Sequence, residues 1–388
     1  MITLLSSLLI KDKENTTSPT VRKSYGVLCG AVGIFLNLCL FGGKFFAGFI
    51  SNSIAITADA LNNLSDAGSS LITLIGFRMA GQKPDIHHPF GHGRIEYISG
   101  FLVSIAIILM GFELVKSSVD KIIHPEAVSF DPLVMGILTA SICVKLYMTF
   151  YNRAVGRKIE SAAMKATATD SLSDSLATFV VLLSMLVCKF TSLNIDGWCG
   201  IAVGLFILYA GYSAAKDTIS PLLGQPPKKE FIEQIEALVT SHEGVLGIHD
   251  LIVHDYGPGR VMVSLHAEVD SKGNIMEIHD MIDNIEKELA KECHCEAVIH
   301  MDPILVNDPL TDDLHGRIEA MLKALDETVR LHDFRVVAGP THTNIIFDVL
   351  LPFEFKMSDE EVVSYLKKEI HAINESYYAV IQVDKAYY

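Results

Sequence analysis

The chain has 388 residues, half of them apolar, with a formal net charge of −15 and a mean hydropathy of +0.35. That is too apolar for an ordinary soluble enzyme of this size and too acidic for a nucleic-acid partner, so a membrane protein is the first expectation. Of the seven cysteines, Cys29, Cys39, Cys143, Cys188 and Cys199 fall in apolar runs and read as small core residues, so no disulfide framework is implied.

The opening MITLLSSLLI resembles a signal-peptide core but lacks a basic flank and a small-residue cleavage site; a short interfacial helix within an N-terminal cytoplasmic segment, 1–22, is expected instead. Six runs long enough to cross a bilayer follow, at 26–50, 53–80, 97–118, 132–152, 166–190 and 198–216, predicting an all-α six-helix membrane domain over 23–216. Their connecting ends alternate in charge. Twelve Lys and Arg from Lys11 to Lys216 lie on one side, against Lys116, Lys121 and Lys189 on the other, which places both termini in the cytoplasm of a multi-pass cell-membrane protein.

The second run contains ADALNNLSDAGSS, where Asn62, Asp66, Ser69 and, just beyond, Thr73 share one helix face because residues three and four apart are neighbours. The fifth run repeats the pattern with Thr167, Asp170, Asp174 and Thr178. Both share the core Leu-Ser-Asp, at 64–66 and 172–174. An ionised Asp at a helix centre costs about 3 kcal/mol on insertion scales, so three of them need a reason. Polar residues can glue membrane helices together without binding anything. The alternative is that the two runs pack face to face and offer three carboxylates and one amide oxygen to a divalent cation. Asp59 is assigned to another face, and Asn63 to packing or capping. Three carboxylates around a dication leave one excess negative charge; once the cation departs, they cannot all stay ionised in a low dielectric, and protons must enter.

A Pro/Gly-punctuated linker, 217–226, ends the membrane part. The periodicity then predicts a helix (228–241), two strands (245–255, 260–269), a helix (275–292) and a strand (296–301), a ferredoxin-like αββαβ unit over 227–305. GIHDLIVHDYGPGRVMVSLHAEV is echoed about 82 residues later by RLHDFRVVAGPTHTNIIFDVLLP, so 306–388 reads as a second, degenerate α+β copy. From residue 225 onward, 31 acidic residues face 14 basic ones, a balance that suits cations, although solvation of a soluble domain explains it as simply. Cys293-His294-Cys295 lacks the usual metal-ligand spacing and reads as strand sequence.

Six spans, NxxxD in the second, DxxxD in the fifth, the loop HPFGHGRIEYISG and the acidic α+β tail together resemble the cation diffusion facilitator family over residues 23–305. The resemblance implies a homodimeric proton antiporter, paired through its membrane and cytoplasmic domains, that exports divalent metal through a site at Asn62, Asp66, Asp170 and Asp174. It also implies a metal site at Asp85, His88 and His92 on the cytoplasmic loop, where a turn built on Pro89, Gly91 and Gly93 is the simpler reading. A further site is implied at His249, His266, His279, His300 and Asp302 in the tail. The second copy keeps His332, Asp348 and Asp384 but has Gln382 at the position of His300, so dimerisation or regulation is expected of it. Zinc-transporting members carry His where Asp170 stands, and oxygen-only donors suit Mn²⁺; Mn²⁺ is therefore expected, with Zn²⁺, Fe²⁺, Co²⁺ or Cd²⁺ as alternatives. No cofactor is expected beyond the transported or regulatory metal. No HExxH, GxSxG or P-loop pattern supports an enzyme. A metal-sensing membrane protein or channel is the reading from a different class.

Overall fold

The computed structural model describes residues 2–16, 18–51, 54–124, 132–191 and 195–386. They fall into two compact units, residues 1–225 with 255–260, and residues 226–254 with 261–388.

The first unit is helical. A short α1 (Ile2–Leu9) precedes six long helices, α2 (Pro19–Ser51), α3 (Ile54–Ala80), α4 (Ile95–Ile123), α5 (Pro132–Lys158), α6 (Ala162–Thr191) and α7 (Asp196–Leu223). Five of them, α2 and α4 to α7, are long and apolar enough to cross a membrane. Among the described residues the exception is α3, whose interior holds Asn62, Asn63 and Asp66. The helices outrun the apolar runs that mark them in the sequence: α2 begins at Pro19, within the expected N-terminal segment, and α7 continues to Leu223, through most of the expected linker. The i to i−4 backbone bonds are satisfied inside a helix whatever its side chains, so hydropathy marks only the apolar portion. Gly224, at φ +89°, ends α7 in the left-handed conformation that favours glycine.

Outward faces of these helices carry Phe35, Phe46, Leu109 and Phe150, as expected of surfaces that meet lipid. Between helices, small residues allow close approach: a Cβ on Gly30 of α2 would sit 2.7 Å from Leu74 Cβ of α3, and one on Gly204 of α7 would sit 2.6 Å from Val115 Cγ2 of α4. At one end of the bundle Arg22 donates to Glu96 Oε1 at 3.0 Å, and its other nitrogen donates to the Ile159 carbonyl, tying α2 to α4 and to the α5–α6 turn.

The second unit repeats one element pattern. Helix α8 (Lys229–Thr240), β1 (Val245–Asp255), β2 (Val261–Asp270), α9 (Ile275–Glu292) and β3 (Cys295–Ile304) are followed by α10 (Pro309–Leu325), β4 (Arg330–Ala338), β5 (Thr343–Pro352), α11 (Asp359–Ile373) and β6 (Tyr377–Ala386). Each αββαβ run builds its own three-stranded sheet, β1-β2-β3 and β4-β5-β6, with the middle strand parallel to the last. Alternation sorts the faces: Val263, Leu265 and Ala267 of β2 bury against Ile232 and Ile235 of α8 and Ile282 and Ile285 of α9, while the residues between them face the other way. Ile345, Phe347, Val349 and Leu351 of β5 do the same against α10 and α11. Each fully buried aliphatic or aromatic side chain contributes about 1.5–3 kcal/mol. Cys295 opens β3 and belongs to the first of these cores, whereas Cys293 caps α9 and His294 lies between them at φ +53°, so only the last residue of the Cys-His-Cys run is strand. Burial pushes its thiol up to about 11.

Candidate metal centres

Three groups of candidate ligands were expected, and the structure treats them differently. In the helical unit, α3 carries Asp66 and α6 carries Asp170 and Asp174, held side by side by a 2.9 Å hydrogen bond between the Thr73 and Thr167 hydroxyls. The carboxylates converge on a cation that the spacing of acidic residues does not reveal. Lys145 of α5 donates from Nζ to Asp66 Oδ2 and to Asp174 Oδ2, each at 2.6 Å, and its side chain is only 2% exposed. Asp170 is buried one turn from Asp174 and within electrostatic reach of Asp66, Asp174 and Lys145. Lys44 of α2, also buried, acts on Asp66 through space.

Asn62 does not join them. It is exposed and forms no hydrogen bond to the carboxylates, whereas the neighbouring Asn63 is buried, at 2% exposure. A single residue step turns a helix by about 100°, which is enough to separate the two amides. The side chain of Asp59 lies outside those described.

The loop group comes together as expected. Ligand atoms of Asp85, His88 and His92 lie within 4.8 Å of one another, with Asp85 Oδ2 3.5 Å from His92 Nε2 and Oδ1 3.4 Å from His88 Nδ1. The backbone sets this up, because Asp85 Oδ1 accepts from the His87 and His88 amides. Those hydrogen bonds hold the exposed Asp85 carboxyl below its usual range. His92 is buried, and its Nδ1 has no hydrogen-bond partner among the described residues, which leaves a buried polar atom over.

In the tail, parallel pairing sets His266 opposite His300 and Glu268 opposite Asp302, with alternation directing all four away from the helices. Asp302 is the hub: its Oδ2 lies 3.0 Å from His249 Nε2 and 2.9 Å from His266 Nδ1, and its Oδ1 lies 3.2 Å from His300 Nε2. His249, His266 and Asp302 present ligand atoms within 4.8 Å of one another. Burial opposes a charge on His249, but the Glu268 carboxylate 3.5 Å from its Nδ1 and the nearby Asp250 outweigh that and raise its pKa. His279 is the exception to the expected five. It stands on α9, exposed, with Asp283 of its own helix as its neighbour at 3.7 Å. Glu268 and Asp250, not singled out in the sequence, take part instead.

The second copy meets the first at this same surface. His332 of β4 stacks on His249, with ring centroids 6.0 Å apart and an interplanar angle of 24°. Burial and the neighbouring His249 together lower the His332 pKa. Asp348 pairs with Gln382 across β5 and β6, as His266 pairs with His300 in the first copy. Burial, with Asp384, Asp333 and Asp250 around it, pushes the Asp348 carboxyl up to about 6.

Comparison with known proteins divides the chain in the same place. The cation efflux transmembrane domain matches residues 31–223, and the cation efflux protein cytoplasmic domain matches residues 227–304; the second copy lies beyond both. An uncharacterised transporter of Methanocaldococcus jannaschii is 34% identical over 67% of this chain and 92% of its own length. The manganese efflux system protein MneS of Bacillus subtilis is 27% identical over 70% of this chain and 94% of its own, and the cation-efflux pump FieF of Escherichia coli is 29% identical over 68% and 88%.

Proposed function

The chain belongs to the cation diffusion facilitator family of divalent-cation efflux transporters, and we propose that it exports Mn²⁺ from the cytoplasm in exchange for protons. The observation that carries this reading is the meeting of Asp66 and Asp174, from two different helices, on one buried cationic nitrogen. Carboxylates that already share a buried cation have the charge and geometry to receive another. Six spans with both termini in the cytoplasm give the transport domain, 23–216, its orientation.

Asp66, Asp170 and Asp174 are the cargo ligands in this reading, and the exposed Asn62 is not among them. An all-oxygen set without His or Cys favours Mn²⁺ over Zn²⁺. The likeness to MneS, named for manganese efflux, supports the same choice; Zn²⁺, Fe²⁺, Co²⁺ or Cd²⁺ would use the same route. Asp85, His88 and His92 receive the ion at the cytoplasmic mouth. His249, His266, His300 and Asp302 form a regulatory site in the domain at 227–305, whose mixed nitrogen and oxygen donors suit a transition metal. The domain at 306–388 pairs with it inside the chain. The protein acts as a homodimer.

Reconstituted vesicles test the proposal. An inward Mn²⁺ gradient should drive protons outward, and Asp174→Asn should abolish both fluxes. Mn²⁺ flux that follows the membrane potential and ignores a pH gradient would identify a channel and overturn the antiport reading.

A further inference from the structure

Lys145 is the buried group that the charge argument from sequence lacks. It stands on a helix long and apolar enough to span a membrane, 2% exposed, and it uses two of its three ammonium protons on carboxylates from two other helices. An ammonium in such a place is retained only when paired, and here both of its partners are proposed cargo ligands.

Three carboxylates and one dication leave a single negative charge uncompensated, and one ammonium cancels it. We propose that Lys145 is a tethered cation that alternates with the cargo: it spans Asp66 and Asp174 when no metal is bound, yields those oxygens to an arriving dication while remaining beside Asp170 as counter-charge, and returns when the metal leaves. This rests on Asp66, Asp170 and Asp174 being the transport ligands.

A tethered ammonium is also a selectivity device. Because it is joined to the site by its own side chain, it competes as if present at high local concentration. A sodium or potassium ion brings the same single charge as the ammonium it must displace and gains nothing by the exchange. A dication brings twice the charge, and Coulomb attraction to the same oxygens doubles with it. Lys145 thereby makes displacement profitable only for divalent ions. The alternative is a fixed strut, in which Lys145 merely holds α3, α5 and α6 together and never moves.

Initial rates of Mn²⁺ transport by the full chain in vesicles, in potassium chloride and in choline chloride of equal strength, separate the two. Wild-type KM for Mn²⁺ should be the same in both salts. Lys145→Met should lower KM roughly tenfold in choline chloride, because the competitor is gone, and potassium should reverse that gain. Vmax should fall, since the empty site returns without its counter-charge. A raised KM in choline chloride, or a variant indifferent to potassium, would establish the strut and overturn the proposal. Should Lys145→Met fail to fold, Lys145→Arg decides: the guanidinium grips two carboxylates in a fixed fork, so KM should rise about tenfold if the cation has to move and should stay constant if it does not. Asp66→Asn provides the separate control. If it leaves Mn²⁺ transport intact, the ligand assignment has failed, whatever Lys145 does.

Discussion

His249 and His332 lie ring against ring, 6.0 Å between centroids, and they occupy corresponding positions in the two halves of the tail repeat. Contact of a residue with its own counterpart is what two-fold pairing produces at its axis. Removing one ring should weaken the pairing. His332→Ala should lower the unfolding midpoint of the tail, since an aromatic pair at this distance contributes ~0.5–1.5 kcal/mol. Scanning calorimetry of the full chain in chelator reads this directly, and an unchanged midpoint would make the stack incidental.

Asp348 gives the same interface a pH dependence. Its carboxyl is raised from 3.8 to about 6 by burial and by Asp384, Asp333 and Asp250. A carboxyl whose folded pKa lies above its unfolded one favours the fold while protonated, so its contribution is lost as pH rises from the unfolded value through the folded one. Asp348→Asn should therefore stabilise the tail at neutral pH, with the gain vanishing only well below pH 3.8, where the native carboxyl is protonated in both the folded and the unfolded state. Thermal midpoints of both proteins across that range, in chelator, check the sign; a gain that persists in acid would contradict it.

The tail site makes two histidines unequal. His266→Ala removes a ring in contact with Asp302 and should weaken Zn²⁺ binding to the tail by at least about tenfold. His279→Ala removes an exposed residue that looks elsewhere and should leave that affinity unaltered. Calorimetric titration of the full chain, with the Asp174→Asn background subtracting the membrane site, distinguishes them. Equal losses would mean that α9 moves to the site on binding.

In the proposed transport site, metal choice is predicted to turn on Asp170. Asp170→His exchanges an oxygen for an imidazole nitrogen and should reduce Mn²⁺ transport while improving Zn²⁺ transport by about tenfold, the effect of one better-matched ligand. Competition between the two ions in vesicles would show it; an unchanged ratio would remove the ligand argument for Mn²⁺.

Much of this architecture is legible in one dimension, for identifiable reasons. Amphipathic alternation fixes β1 and β2 to within a residue, and the internal echo reveals the duplication, because both signals are local. The failures are the features that depend on rotation or on distant partners. Asn62 and Asn63 are adjacent letters, and only the phase of α3 decides which is buried. His279 matches the family position, yet α9 turns it away from the strand face that gathers His266, His300 and Asp302. Lys145 stands 79 residues from Asp66 in the chain, and no spacing rule joins them. Its mere presence in an apolar span was the available clue, since an ionisable residue there requires a partner.

The hydroxyls of α6 have a mechanical consequence. Thr167, Ser171 and Ser175 each donate to the carbonyl one turn back on their own helix, at 3.1, 3.2 and 3.0 Å. Bonds of this kind travel with the helix and need not break when it slides past a neighbour, so this face behaves as a bearing despite being polar. The Thr73–Thr167 bond and the Lys145 bridge, by contrast, span the seam between α3 and α6 and act as latches. A switch between two packings of these helices would then be resisted at a few atoms beside the proposed cargo ligands, where an arriving ion would release it, and hardly at all along the rest of the face.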